Sequence, residues 1–269
     1  MYRWELEPSL LLGLIGQTSA YLLCVGPLRF LFPGSTPASR KEITCFLLGS
    51  LALFLALVSP ISTLGEGYLL SMHMVQHLLI TAVAPPFFLL GTPRWLLRPL
   101  VQTRPTLAIG RFLTHPVVAF LLFNVVFIGW HVPQFYEAAL RNQYVHIVEH
   151  ITFFATATLT WWPIFSPLDE LPAANPGVQV LYLFFEALPP TILGAIITFM
   201  GSTLYPTYAR APEIWGLTHK NDQEIAGLIM WMIGGLIFFG VLTVVFLRWF
   251  NQDEYEEGRD FQQTGAVLP

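Results

Sequence analysis

The sequence predicts an all-α membrane protein, a bundle of seven transmembrane helices. Of its 269 residues, 54% are hydrophobic and only 11% are charged, whereas about 25% of the residues of soluble domains are charged. A bilayer core of about 30 Å takes about 20 apolar residues per helix, and stretches of this kind recur along the chain. These observations exclude a soluble globular fold.

Seven apolar stretches are predicted as the spans. A signal peptide is not predicted at the start, because Glu5 and Glu7 precede the first stretch in place of a basic cluster. We find no repeat and no long linker, so the prediction is one transmembrane domain over 1–269, with 251–269 as an acidic cytoplasmic tail. The predicted spans are Ser9–Phe32, Ile43–Ile61, Tyr68–Leu90, Pro116–His131, Val145–Phe165, Val178–Met200 and Glu224–Phe250.

The positive charges predict the orientation of this bundle. With seven spans, nine of the 13 Lys and Arg residues fall on the side that carries the C-terminal tail, and four fall on the other side. Because cytoplasmic loops are enriched in these residues, the N-terminus is predicted outside and the C-terminus in the cytoplasm. The formal net charge is −4 and no basic stretch is dense, which excludes nucleic acid as a partner.

Histidines interrupt the apolar spans in two pairs. His73 and His77 lie near the start of the third span, and His146 and His150 open the fifth. Residues four apart share one face of a helix, so both rings of a pair can address one centre. His131 closes the fourth span. On the predicted topology all five histidines lie near the outer face.

Other functional groups fall at the same predicted depth. Glu149 lies between the second pair, while Asp222, Gln223 and Met230 belong to the start of the seventh span. Neutral imidazoles suit copper, zinc or iron, and the carboxylates and the amide can hold the rings or serve as further ligands. The Met230 thioether can be a soft ligand for Cu(I). Helix capping is an alternative for Asp222, and packing for Met230. A single histidine near a helix end is more often an interfacial polar group, but the convergence of five favours a metal or cofactor site.

Glu186 is a separate acidic group in the sixth span, ahead of Pro189-Pro190. Prolines in a helix free backbone carbonyls. A protonated Glu186 can bind such a group, and a role in ion or proton passage is the alternative.

At these residues the chain resembles the seven-span CtaG family of caa3-type cytochrome c oxidase assembly factors, bacterial membrane proteins associated with copper delivery. The likeness covers about Trp4 to Phe250. It is carried by His73-Met-Val-Gln-His77 with Ala84-Pro85-Pro86 and Leu90-Gly-Thr-Pro93, by Trp130-His131-Val-Pro133, Phe135-Tyr136, His146-Ile-Val-Glu-His150 and Trp161-Trp162, and by Asp222-Gln223 with Ala226-Gly-Leu-Ile-Met-Trp231.

The resemblance implies a copper-binding assembly factor in the bacterial inner membrane. An oxidase subunit would be its partner, and the two histidine pairs would be its ligands. A metallochaperone of this kind holds and transfers copper without catalytic turnover, so the protein is not expected to be an enzyme.

Two other functions fit a histidine cluster in a helical bundle. A b-type haem protein ranks second, because facing histidines ligate haem. An intramembrane zinc metalloprotease ranks third, since His146, Glu149 and His150 match the H-x-x-E-H motif. The His73/His77 pair is surplus to a zinc protease, and haems need ligands well separated in depth.

Overall fold

The computed structural model describes the backbone of residues 4–263 and the side chains of residues 4–251, and within this part the chain is helical with no strand. The acidic side chains predicted to form the tail lie outside the described residues, although the last helix continues to Gln263. The main helices are α1 Pro8–Val25, α2 Arg40–Leu57, α3 Pro60–Gly67, α4 Leu70–Gly91, α5 Arg104–Leu113, α6 Pro116–His131, α7 Pro133–Arg141, α8 Gln143–Phe165, α9 Pro176–Phe199 and α10 His219–Asn251.

Proline and N-cap residues determine where most helices begin. Proline occupies a first-turn position in α1, α3, α5, α6, α7 and α9, where its missing N–H costs nothing. Ser39 and Glu42 form a reciprocal capping box at the start of α2. Asn142 and Asn175 accept backbone N–H groups at the starts of α8 and α9. These local signals determine the helix boundaries.

Four helices, α1, α4, α9 and α10, are long and apolar enough to cross a membrane. The number rises to six if α2 with α3, bent by 41°, and α5 with α6, bent by 66°, each form one span. The fifth predicted span coincides with α8, which has 23 residues but carries more polar side chains. The seven-span count therefore stays a prediction.

Several regions differ from the predicted outline, and α7 is a helix in a segment predicted as a loop. The first predicted span continues to Phe32, whereas α1 ends at Val25 because Gly26 and Pro27 follow. The segment predicted as a loop before the fourth span contains the amphipathic helix α5.

Contacts between connections show which segments share an end of the bundle. The Glu5 N–H donates to Val58 O after α2. Arg98, after α4, pairs with Glu170, after α8, at 2.8 Å. At the opposite end from this ion pair in the predicted topology, Glu137 of α7 accepts the Thr207 N–H at 2.9 Å. The predicted alternation of the loops agrees with these contacts.

A wide π-helical turn at Leu79–Val83 shapes α4 below the two histidines. Pro85 has no N–H for the carbonyl of Thr81 four residues earlier. The Trp161 indole of α8 donates to that carbonyl at 2.9 Å. The Thr81 hydroxyl in turn donates to His77 O at 2.7 Å. Through these two hydrogen bonds the π turn connects the His77 end of α4 to α8. Turns of this kind are frequent at functional sites.

Candidate metal centre

The structure brings the five predicted histidines of α4, α6 and α8 into one cluster. The ring centroids of His73 and His77 are 4.3 Å apart, and those of His146 and His150 are 4.1 Å apart. Between helices, His77 lies 5.9 Å from both His131 and His150, and His73 lies 5.8 Å from His146. The four-residue spacing thus turns two rings of α4 toward two rings of α8.

Four of these side chains form a tighter group, the inner group, consisting of His73, His77, Glu149 and His150. One nitrogen or oxygen of each lies within 4.8 Å of the others. The Nε2 atoms of His73 and His77 are 2.8 Å apart, and His77 Nε2 is 3.6 Å from Glu149 Oε1. His73 and Glu149 are both 0% exposed. A buried carboxylate and three imidazoles at this spacing can address a single ion.

Several polar atoms of the cluster lack a hydrogen-bond partner. They are His77 Nδ1, His131 Nε2, His146 Nε2, His150 Nε2 and both oxygens of Glu149. Buried polar atoms without partners are rare in proteins, and each needs an explanation such as a bound ion or water. The donor chemistry and the unpartnered atoms therefore both fit a metal ion.

Tyr208 fixes the orientation of His73. The Tyr208 hydroxyl donates to Gly65 O at 2.6 Å and lies 3.0 Å from His73 Nδ1. Burial raises the pKa of the Tyr208 hydroxyl well above its ordinary value, so it stays protonated. Because its proton goes to Gly65, its oxygen accepts the proton of His73 Nδ1. This arrangement leaves the Nε2 lone pair of His73 directed at the inner group.

A backbone carbonyl of its own helix determines which nitrogen of His131 carries the proton. Its Nδ1 lies 2.7 Å from Phe127 O, which can only accept, so Nδ1 carries the proton. Its Nε2 then holds a lone pair. His131, His77 and the predicted Met230 line a small gap of about 20 Å³, which is room for about one water. His131 and His146 border the inner group without belonging to it.

Asp222 and Gln223 are not brought to the rings. Asp222 accepts the N–H groups of Leu70 at 2.7 Å and Ser71 at 3.3 Å, and so caps the start of α4. Gln223 accepts the Leu204 N–H at 2.6 Å. The oxygens of both side chains thus accept backbone N–H groups, and the role of Asp222 and Gln223 as ligands or ring partners stays a prediction. Asp222 acts as a cap on the helix that carries His73 and His77, not on its own helix.

Glu186 lies in a separate polar group of α6, α8 and α9. Its oxygens accept from Asn124 Nδ2 at 3.0 Å and from Thr160 Oγ1 at 2.8 Å. Its partners are therefore side chains, where a backbone group freed by Pro189-Pro190 was expected. The α9 helix runs through both prolines.

Sequence reasoning assigned no role to Tyr208, Tyr136 and Glu66. Tyr208 and Tyr136 lie in short helices outside the predicted spans, and their hydroxyls are 3.3 Å apart. Glu66 Oε1 lies 3.7 Å from His146 Nδ1. No spacing pattern connects these residues to the histidines, although the Tyr205-Pro-Thr-Tyr208 segment is unusually aromatic for a loop.

The fold is that of a helical membrane protein with several apolar helices that pack around a buried histidine cluster. The family model described as cytochrome c oxidase caa3 assembly factor (Caa3_CtaG) matches residues 19–252. The chain therefore belongs to this family, which agrees with a bacterial membrane location.

Curated relatives are longer proteins. Uncharacterized proteins of Mycobacterium bovis and Mycobacterium tuberculosis are each 28% identical over 244 residues, covering 84% of this chain and 36% of their own length. One of Mycobacterium leprae is 27% identical over 263 residues, covering 90% of this chain and 39% of its own. The chain thus spans little more than a third of these relatives. No solved structure matches the chain.

Proposed function

We propose that the protein is a metallochaperone that binds copper at the inner group and supplies it to a subunit of a caa3-type cytochrome c oxidase during assembly. The observation that carries the proposal is the set of four ligand atoms from His73, His77, Glu149 and His150 within 4.8 Å of one another. Membership of the assembly-factor family supports the oxidase as the recipient of the copper. Binding and transfer of copper require no catalytic turnover.

The chemistry of the donor set favours copper among the common metals. Three imidazoles and one carboxylate are nitrogen and oxygen donors that copper accepts, and copper binds divalent-metal sites of this kind more tightly than zinc or iron. Cys24 and Cys45 are free thiols outside the cluster. Because His131 and His146 border the inner group, alternative donors lie close to the metal, and a cargo ion can change partners without leaving the bundle.

Metal analysis of purified variants tests the proposal. We expect His77→Ala and His150→Ala each to lower the copper stoichiometry of protein extracted from copper-supplemented membranes. The matched control is His115→Ala, because His115 is exposed and precedes the first residue of α6, whose opposite end carries His131. Full copper occupancy in both cluster variants would refute the site.

A haem protein is less compatible with the structure. The Nε2 atoms of His73 and His77 lie 2.8 Å apart, so no macrocycle fits between these two rings, and the gap on the His77 and His131 side has a volume of only about 20 Å³. An intense Soret band in the purified protein would nevertheless replace the copper proposal with a haem one.

The zinc protease hypothesis places Glu149 as the general base beside two zinc-binding histidines. In the structure Glu149 is near His77 of α4 as well as His146 of its own helix, which favours a ligand over a base reserved for water. Glu149→Gln distinguishes the protease from the metallochaperone. The protease hypothesis predicts that peptide cleavage is lost while metal is retained, whereas we expect weakened copper binding.

A further inference from the structure

An open cavity of about 390 Å³ lies beside the inner group. Its walls are formed by the N-terminal segment, α3, the end of α7 and the start of α8. Its polar lining consists of Glu5, Glu7, Ser62, Glu66, Gln76, Arg141, Gln143, His146 and His150. The cavity therefore connects the surface with two of the clustered histidines.

Negative charge dominates the lining of this cavity. Glu5, Glu7 and Glu66 contribute three carboxylates against the single positive charge of Arg141, and Arg141 is already paired with Glu137 at 2.8 Å. A cleft lined by charges of one sign with low-dielectric walls concentrates counter-ions and speeds their association. The cavity is therefore suited to attract a cation.

The inner wall of the cavity carries a polar side chain without a partner. Gln76 is 0% exposed, and neither its Nε2 nor its Oε1 has a hydrogen bond. In the same lining, Glu66 accepts from the Ser62 hydroxyl at 2.7 Å, and His146, which is 8% exposed, has an unpartnered Nε2. Unsatisfied buried groups at this point indicate a polar occupant.

Short contacts continue from this wall to the inner group. Glu66 Oε1 lies 3.7 Å from His146 Nδ1, His146 Nε2 lies 3.9 Å from Glu149 Oε2, and Glu149 Oε1 lies 3.6 Å from His77 Nε2. All three distances are below 4 Å, so an ion bound by one group lies within reach of the next. The Nδ1 atom of His146 thus faces the Glu66 carboxylate, and its Nε2 atom faces the Glu149 carboxylate.

We propose that this cavity is the entry port through which a hydrated metal cation reaches the inner group, with Glu66 and His146 as the transfer pair. The proposal rests on the proposed function, since it needs an inner group that binds copper. It assigns His146 a transfer role where the sequence predicted a ligand. Glu5 and Glu7 attract the ion, and Gln76 offers its amide oxygen on the way.

Stopped-flow binding of Cu²⁺, followed by quenching of tryptophan fluorescence in nanodiscs of uncharged phosphatidylcholine, tests the port. We expect Glu66→Gln, and separately Glu5→Gln with Glu7→Gln, to slow association roughly threefold to tenfold at low salt and to flatten its salt dependence. The copper stoichiometry at equilibrium stays that of the wild type. The control is Glu224→Gln, whose side chain has the same 42% exposure as Glu66 but does not line the cavity.

The outcomes separate the two proposals. Wild-type association rates and salt dependence in both carboxylate variants would overturn the port alone. A lower stoichiometry in Glu66→Gln would make Glu66 a ligand, and equal slowing by Glu224→Gln would make the effect one of net charge; either result overturns the port. Absence of bound Cu²⁺ in the wild type would refute the proposed function and the port with it.

Discussion

Replacing Tyr208 by phenylalanine tests how the copper site is oriented. The substitution keeps the ring but removes the hydroxyl that donates to Gly65 O at 2.6 Å and accepts from His73 Nδ1 at 3.0 Å. The Gly65 carbonyl and the His73 N–H then both lose a partner in a buried environment. His73 is also freed to place its proton on either nitrogen.

The expected magnitude follows from these two losses. A buried polar group without a partner costs about 1–3 kcal/mol, so Tyr208→Phe lowers the free energy of unfolding by about that amount for each group. Hydrogen bonds that orient metal-binding histidines are typically worth about 10-fold to 100-fold in metal affinity. We therefore expect weaker copper binding at an unchanged stoichiometry.

Competition with a copper chelator of known affinity measures the effect, and thermal unfolding in detergent measures the stability. Tyr144→Phe is the matched control, because Tyr144 is 81% exposed. Tyr208→Phe with the affinity of the wild type would refute the reasoning that Tyr208 determines the proton position on His73.

Two further predictions concern the helices that carry the site. Asp222→Ala removes the cap of α4 and lowers the free energy of unfolding by about 0.5–2 kcal/mol, measured by thermal unfolding; unchanged stability would show that the Leu70 N–H is satisfied without it. Gly227→Ala adds a Cβ 2.5 Å from Gly194 O and in contact with Thr198 Oγ1. Because α9 and α10 must then move apart, we expect the free energy of unfolding to fall by about 1–3 kcal/mol, measured by thermal unfolding. Gly235→Ala, with open space around it, is the control, and equal destabilisation by both would contradict the close approach.

The sequence predicted the helical membrane fold because long apolar stretches have few alternatives in a bilayer. It also indicated the ring cluster, since a four-residue spacing places His73 and His77 on one helix face, and likewise His146 and His150. Neither result needs knowledge of how the helices pack.

Contacts between distant segments could not be predicted in this way. Asp222 was placed on the correct side of the bundle, but only packing shows that it reaches the start of α4, 152 positions away. Tyr208 reaches His73 from the connection between α9 and α10, 135 positions away in sequence, and Glu66 reaches His146 from α3. Periodicity within one helix carries no information about such partners.

X-ray absorption spectroscopy at the copper edge of the loaded wild-type protein tests the central claim most directly. Copper bound by His73, His77 and His150 with Glu149 predicts nitrogen and oxygen neighbours and the multiple-scattering pattern of several imidazoles, reduced in His77→Ala. Absence of imidazole scattering, or a copper ion surrounded by sulfur, would contradict the assignment of the inner group.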